Sequence, residues 1–157
     1  MKPKAILTVV LLVFVAASVA YLVIKESRSA PVQSPASSGV PAKSKVIAYY
    51  FYGNVRCTTC RTIEAYTEEA IETGFAEALK DGRLEWRAIN TDDIENEHFT
   101  KDFQLTTRSV IIERFANGKS VEWKNLLSIW ELVRGEKADY LKYIQDETRS
   151  YLEAAAK

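Results

Sequence analysis

The chain has 157 residues, and its 21 lysines and arginines are balanced by 21 aspartates and glutamates. This length supports one compact domain together with targeting or tethering segments. With no net charge and no stripe of basic residues, the composition argues against a nucleic-acid-binding protein.

The first 24 residues are predicted to form a membrane anchor. Residues 5–24 carry no charge and would form a helix about 30 Å long, which is the thickness of the hydrocarbon core of a membrane. Lys2 and Lys4 precede this run, as in a secretory signal, and the small residues at 17–20 offer a cleavage site. A removed signal is the alternative, but the apolar run continues beyond that site and its length favours an uncleaved anchor.

The charges around the anchor predict the compartment of the protein body. Lys2, Lys4 and the terminal amine lie before the span, whereas Lys25 and Arg28 after it are offset by Glu26. This small bias favours an N-terminus inside the cell. The body of the protein would then face the periplasm or extracytoplasmic space, where disulfides persist.

Residues 25–45 are predicted to be a disordered linker. They contain Pro31, Pro35, Pro41 and several serines but no large apolar cluster, so they cannot bury enough surface to offset the entropy of ordering. A flexible chain of this length reaches about 25 Å. A folded domain is predicted over residues 46–157.

The first half of this domain alternates strand and helix signals. Residues 46–52 are β-branched and aromatic and predict a central strand that is buried on both faces. Residues 58 to 80 have helical spacing of apolar side chains, with a kink near Gly74, and residues 84–90 predict a second strand. Asp92 then marks the start of a short helix whose apolar side is Ile94, Phe99 and Phe103.

The second half predicts a hairpin and further helices. Residues 110–115 and 119–123 read as strands, and the Asn117-Gly118 pair between them predicts a two-residue turn. Helical spacing follows from residue 126, with a break at Gly135, and the apolar positions before that break are Leu126, Leu127, Ile129, Trp130 and Val133. Trp86, Trp123 and Trp130 are predicted to be core residues.

The two cysteines of the chain, Cys57 and Cys60, lie in the sequence Arg-Cys-Thr-Thr-Cys-Arg, where the first strand gives way to the first helix. Unpaired backbone N–H groups at a helix start favour the thiolate form of a cysteine and so its nucleophilicity. Three interpretations are open: a redox pair, an inert disulfide, or a site for a metal or metalloid. Since a bond closing so short a loop constrains the unfolded chain little, redox function is favoured.

A structural zinc site is a weaker interpretation of the same cysteines. Such a site takes four ligands, and the chain offers two cysteines and one histidine, His98. We therefore predict no metal ligand set within one chain, and His98 is expected to be a surface or half-buried residue of the second helix.

The order β-α-β-α-β-β-α, with Cys-x-x-Cys opening the first helix and Phe-Ala-Asn-Gly-Lys at the hairpin, resembles the thioredoxin superfamily over residues 46–130. The resemblance implies an α/β three-layer sandwich with a mixed central sheet. More narrowly, residues 50–64 and Leu84-Glu85-Trp86 look like the membrane-anchored ArsF-like proteins, which are labelled subunits of a nitrophenyl compound nitroreductase. Nothing in the sequence reads as a flavin phosphate site, so such a chain would pass electrons through its thiols.

The resemblance also implies roles for the two cysteines. Cys57 matches the attacking cysteine, which forms a mixed disulfide with a substrate, and Cys60 matches the resolving cysteine. The disulfide Cys57–Cys60 would be the redox group, with no other cofactor. The first thiol is expected to be exposed and the second to be shielded one turn into the helix.

Two positions depart from the thioredoxin pattern. Phe51 stands where the family has a buried acid that accepts a proton from the second cysteine. Glu64 is a candidate replacement, but its place on an exposed helix face favours a solvated carboxylate without a catalytic role. Ser109, or Arg108 with a one-residue shift, stands where the family has a cis-proline that faces the disulfide. A cis bond before a residue other than proline costs about 2.5 to 4 kcal/mol, so a trans bond is expected there. In the family this proline is thought to keep metals off the sulfurs.

Residues around the dithiol are predicted to tune it or to contact substrate. Arg56 and Arg61 would favour a thiolate nearby, and Thr58 and Thr59 help to set the redox potential. Ser109 would contact substrate in place of the proline.

These observations together predict a membrane-anchored thiol-disulfide oxidoreductase that exchanges electrons with a protein thiol or disulfide partner, including a membrane electron donor. The alternative is a binding module or electron-transfer subunit that docks a partner, or binds arsenite or a soft metal, through the two thiols.

Overall fold

The structure is a computed structural model and describes residues 44–156. In chain order its elements are β1 (Lys45–Tyr52), α1 (Thr58–Gly74), α2 (Ala76–Lys80), β2 (Leu84–Asn90), a 3-10 turn (Ile94–Asn96), α3 (His98–Asp102), β3 (Ser109–Ala116), β4 (Lys119–Asn125), α4 (Ile129–Leu132) and α5 (Lys137–Ala155). The predicted anchor at residues 1–24 and the linker up to residue 43 lie outside the described residues. Within the described part, no helix combines the length and apolarity needed to cross a membrane.

The strands form one mixed sheet of order β2-β1-β3-β4. Strand β1 runs parallel to β2 and antiparallel to β3, and β4 returns antiparallel to β3. Residues 46–51 of β1 are all buried, because helices cover both faces of this central strand. The predicted element order and the mixed central sheet are therefore confirmed.

Alternate residues of β1 face opposite layers, since successive side chains of a strand point to opposite sides. Val46, Ala48 and Tyr50 pack beneath the long helices α1 and α5, and we call this side the long-helix face. Ile47, Tyr49 and Phe51 lie on the other side, which we call the short-helix face because α3 covers it. The three-layer arrangement follows from this alternation.

The hairpin between β3 and β4 is confirmed. Asn117 and Gly118 have φ values of 54° and 74°. Both lie in the left-handed region that a two-residue turn of this kind requires, and asparagine and glycine adopt that region most readily.

The predicted helix over residues 58–80 is two helices, α1 and α2, which are interrupted at Phe75 beside the predicted kink. Gly74, the last residue of α1, lies against α5: a Cβ there would be 2.9 Å from Nε2 of Gln145. That amide nitrogen donates to the carbonyl oxygen of Ala70 at 3.1 Å. Contact with α5 thus explains why the chain has no side chain at this point.

Several local predictions were wrong. Asp92 does not begin a helix; the 3-10 turn and α3 start after it, and Ile94 is 92% exposed instead of packing on an apolar side. Leu127 is also exposed, since it precedes α4 instead of lying on it. Trp123 is only partly covered, because it lies on β4, an edge strand with no further strand beyond it in the described sheet. Trp86 and Trp130 do pack against the core.

Candidate functional site

Cys57 is the N-cap residue of helix α1. It has extended backbone angles, and its Sγ accepts a hydrogen bond from the backbone N–H of Cys60 at 3.1 Å. An N-cap side chain ordinarily supplies an oxygen acceptor to this unpaired N–H. The sulfur therefore lies in the positive field of a 17-residue helix, and this field favours the thiolate when the bond is reduced.

Cys57 and Cys60 form a disulfide, with their Cα atoms 5.1 Å apart. The two sulfurs have different surroundings: Cys57 is exposed, whereas Cys60 is 5% exposed and belongs to the buried side of α1. An incoming thiolate can therefore reach Cys57 far more readily than Cys60.

Tyr50 supports the dithiol from below. Its hydroxyl donates to the carbonyl oxygen of Cys60 at 2.7 Å, and the side chain is fully buried. Burial raises the pKa of Tyr50, against the opposing effect of the Arg56 and Arg108 charges, so the hydroxyl stays a neutral donor. Sequence reasoning missed this residue, although its even position in β1 places it on the same face as α1.

Arg56 does not present a free charge to the sulfurs. Its guanidinium forms an ion pair with Glu64 and stacks over the Tyr52 ring, 4.2 Å from the ring centroid. Glu64, which was expected to be solvated, is half-buried in this pair. Arg61 is exposed and forms no ion pair with another described residue, so its positive charge, unlike that of Arg56, is not compensated by a carboxylate.

The two threonines between the cysteines differ in exposure. Thr58 is exposed and Thr59 is half-buried. The carbonyl oxygen of Thr58 accepts from the Thr62 hydroxyl at 3.1 Å. Thr58 is therefore the one that a docked partner would contact first.

Ser109 lies at the start of β3, directly opposite Phe51 in β1. No cis peptide bond occurs among the described residues, which confirms the trans bond expected here. Ser109 is 2% exposed; its hydroxyl donates to the Thr107 carbonyl oxygen at 3.0 Å and accepts from Asn125 Nδ2 at 3.4 Å. This side chain is engaged within the protein instead of projecting toward a substrate.

Phe51 fills the position of the missing acid with an apolar ring. It is 1% exposed and packs on the short-helix face, with its ring centroid 5.3 Å from Phe99 and 5.4 Å from Phe103. No proton acceptor is available at this position.

A clamp that joins distant segments holds the loop before Cys57. Asp92 accepts from the backbone N–H of Asn54 at 2.7 Å, and Arg108 Nη2 donates to the Val55 carbonyl oxygen at 3.0 Å. A Cβ on Gly53 would lie 2.7 Å from Asp92 Oδ2 and 3.0 Å from Arg108 Nη2. A side chain at this position would therefore have to displace Asp92 or Arg108 from these contacts. Sequence reasoning missed Asp92 and Arg108 in this role.

His98 begins α3 and is exposed. Its Nδ1 lies 3.0 Å from the Glu95 carbonyl oxygen, and its ring lies against Phe99. Within residues 44–156, no group of three His, Cys, Asp or Glu side chains is placed to hold a metal ion.

Three exposed apolar residues lie at the end of the sheet that carries the dithiol, and we call them the apolar rim: Val55, Ile94 and Leu127, which are 80%, 92% and 67% exposed. They follow β1, β2 and β4, whose ends meet at the edge of the sheet that carries Cys57. Exposed apolar side chains gathered in this way are typical of protein contact surfaces.

The dithiol opens the helix that follows the central strand, between parallel β1 and β2, and β3 and β4 complete the sheet as an antiparallel hairpin. The fold is thioredoxin-like. No family model matches the chain, and no curated protein matches it. The narrower resemblance to ArsF-like proteins stays a prediction.

Solved structures similar to this chain include two thioredoxins. That of Plasmodium falciparum has 17% identity and a TM-score of 0.37, covering 59% of this chain and 83% of its own. That of Fasciola hepatica has 21% identity and a TM-score of 0.35, covering 59% and 82%. Human ERp44 in a zinc-bound form has 16% identity and a TM-score of 0.47, over 68% of this chain and 26% of that protein.

Proposed function

We propose that this protein is a thiol-disulfide oxidoreductase in which Cys57 attacks and Cys60 resolves. The observation that carries the proposal is the disulfide between an exposed N-cap cysteine and a buried cysteine one turn along the same helix. A purely structural disulfide gains little from closing so short a loop.

The reaction would proceed in two exchanges. The Cys57 thiolate attacks one sulfur of a substrate disulfide; that S–S bond breaks, and the first substrate thiolate leaves. The Cys60 thiol loses its proton to the leaving thiolate or to water and attacks Cys57 Sγ, which releases the second substrate thiolate. Two electrons pass to the substrate, and the Cys57–Cys60 disulfide forms. With a dithiol substrate the same steps run in reverse.

The proposed partner is a protein that carries a thiol or a disulfide. A membrane electron donor is one such protein. The apolar rim supports this proposal, because it offers contact area on the side of the molecule where Cys57 is exposed. Arg61 adds a positive charge that would favour an acidic partner surface. No cofactor other than the disulfide is required.

The protein is further proposed to be held at the membrane by residues 1–24, with the domain in the periplasm or extracytoplasmic space. The uncharged run at residues 5–24 supports this location. Alkaline extraction of membranes tests it: the full chain should stay in the pellet, and a chain lacking residues 1–24 should be released. Recovery of the full chain in the extract would contradict the anchor.

Trapping of the mixed disulfide tests the redox proposal. Cys60→Ser should accumulate a covalent complex with a partner that reductant dissolves, whereas Cys57→Ser and the double variant should not. Wild-type protein should reduce or oxidise the trapped partner with turnover. If Cys60→Ser traps nothing and the wild type shows no turnover, the protein is not an oxidoreductase.

A second candidate function is binding of arsenite or a soft metal by the two reduced thiols. It is favoured by the serine at position 109, because the chain then lacks the proline that is thought to keep metals off the sulfurs in thioredoxins. Stoichiometric arsenite binding by the reduced wild type, lost in both single cysteine variants, would support this function. A reduced protein that is indifferent to arsenite and free of metal would remove it.

A further inference from the structure

The short-helix face carries a groove that the redox proposal does not use. Its volume is about 320 Å³, and it lies between α3 and the β3-β4 hairpin. The walls are aromatic and acidic: Tyr49, Phe103, Phe115, Trp123, Asp102 and Glu113 are among the lining residues. None of the residues that line it is basic.

Glu113 is the unusual member of this groove. It lies in the middle of β3 and is only 5% exposed, although a carboxylate is rarely buried without a cation. Burial, and after it the nearby Glu113 carboxylate, raises the pKa of Tyr49. Glu113 forms no ion pair with any described residue.

Two cations on this side of the sheet are engaged elsewhere. Lys45 and Arg87 both form ion pairs with Glu85 on β2. Arg87 acts on Glu113 only by longer-range attraction. The described residues therefore leave a negative charge in the groove without a direct counter-charge.

The aromatic walls are suited to a cation with a weak hydration shell. The rings of Phe103 and Trp123 meet at 86° with centroids 5.3 Å apart, and Tyr49 lies 5.7 Å from Phe103. Trp123 is directly opposite Glu113 in the β3-β4 pairing and is 37% exposed, so a ligand can reach its ring. The three cation–π contacts found among the described residues, at Tyr52, Tyr66 and Phe75, all lie away from this groove.

We propose that this groove binds an alkylammonium cation, with Glu113 as the counter-charge and Trp123 as the aromatic wall. The ammonium group would lie beside the Glu113 carboxylate, and its alkyl substituents would contact Phe103 and Trp123. Asp102, an exposed residue that also lines the groove, would add a second electrostatic attraction for the cation. A small ligand of this kind is expected to bind with a dissociation constant of about 1 mM.

Titration of the purified full-length, oxidised protein tests the proposal, with the Trp123 indole resonance as the readout. Choline and butylammonium are the two probes; the first represents a free quaternary amine, and the second represents a lysine side chain. Each is compared with a neutral analogue, in which carbon or a hydroxyl replaces the charged nitrogen. The charged probe should bind at least about tenfold more tightly than its neutral analogue.

Two variants and one matched control complete the experiment. Glu113→Gln, followed by the Trp123 indole resonance, and Trp123→Leu, followed by the backbone amide resonance of Ser120 in the same groove, should each weaken binding of the better charged probe about tenfold. Glu122→Gln removes the same charge from the neighbouring strand, where Glu122 pairs with Arg114 away from the groove, and should leave binding unchanged. Circular dichroism verifies that each variant folds. If Glu113→Gln does not fold, the affinity of Trp123→Leu for the charged probe tests the proposal.

Equal binding of charged and neutral probes would overturn the proposal. So would binding that survives Glu113→Gln, or an indole resonance that does not move at about 100 mM of either cation. Stronger binding of choline would identify a free quaternary amine as the ligand, and stronger binding of butylammonium would identify a lysine side chain.

Discussion

The Tyr50 hydroxyl donates to the Cys60 carbonyl oxygen across 2.7 Å, and so joins the central strand to the first turn of the helix that carries the dithiol. This bond is fully buried and holds the resolving cysteine against the core. The position of Cys60 is therefore set by the sheet as well as by its own helix.

Tyr50→Phe should destabilise the protein by about 1 kcal/mol, because a buried carbonyl loses its side-chain donor. Urea unfolding of the oxidised protein measures this change. Tyr66→Phe is the matched control: Tyr66 is half-buried, its ring packs on Tyr140, and its hydroxyl has no hydrogen bond among the described residues. Equal losses in the two variants would show that the Tyr50 bond contributes nothing.

Gly53→Ala should disturb the loop before Cys57, since the added Cβ would lie 2.7 Å from Asp92 Oδ2 and 3.0 Å from Arg108 Nη2. We expect a loss of about 1 to 3 kcal/mol in stability and slower thiol exchange, measured by urea unfolding and by turnover with a disulfide substrate. Gly135→Ala is the control, because a Cβ there meets only the Leu132 carbonyl oxygen at 3.6 Å. If both alanine variants behave as the wild type, the clamp does not constrain the loop.

Glu64→Gln should increase the reactivity of the reduced dithiol at neutral pH. The change removes a negative charge from one helical turn beyond Cys60 and leaves the Arg56 guanidinium uncompensated. Both effects favour the thiolate, so the alkylation rate of Cys57 at pH 7 should rise about twofold. Rates are measured with iodoacetamide across a pH series, and Glu68→Gln on the exposed side of α1 serves as the control. A slower reaction in Glu64→Gln would instead indicate that this carboxylate takes up a proton during exchange.

The free energy of unfolding should decrease at acidic pH, in part because Glu85 becomes protonated. Partial burial raises the pKa of Glu85, but hydrogen bonds from Arg87 and Lys45 outweigh it and hold the pKa below its ordinary value. A lowered pKa in the folded state adds stability that is present above the unfolded-state pKa and is lost as the pH falls through the folded-state pKa.

The Glu85 contribution is measured by comparing wild type with Glu85→Gln in unfolding experiments between about pH 6 and pH 3. The wild type should lose more stability over this interval, by less than about 1 kcal/mol because the pair is about one-third exposed. Glu77→Gln, an exposed glutamate of α2, should retain the wild-type slope. Parallel curves for wild type and Glu85→Gln would contradict the prediction.

Sequence patterns predicted the elements well where near neighbours decide them. The aromatic and β-branched run of β1, the Asn117-Gly118 turn and the helical spacing of α1 each depend on residues close in the chain. The predictions of secondary structure were wrong where contact with a segment distant in the chain determines the local structure. Asp92 has the residue type of a helix cap, but its carboxylate is engaged by the Asn54 N–H, which is brought to it by the parallel pairing of β1 and β2.

The candidate site likewise combines features that the sequence predicts with features that depend on tertiary contacts. The spacing of Cys57 and Cys60 at a strand-to-helix junction is a property of the sequence, and so are the residue types at positions 51 and 109, where Phe51 and Ser109 differ from the pattern that the chain resembles. The pairing of Arg56 with Glu64 was not foreseen, since it depends on how the loop before Cys57 folds against α1.

The sequence by itself determined the dithiol, its place at the start of α1 and the order of strands and helices, because each depends on local backbone preference and on the period of apolar residues. Only the tertiary structure decided which side chains surround these features: Tyr50 beneath Cys60, Arg108 on the loop before Cys57, and Glu113 beside Trp123. These contacts join residues of different elements that lie ten or more positions apart in the chain. They depend on how the strands pair and on how the helices and loops pack against the sheet, and local backbone preference alone does not specify this.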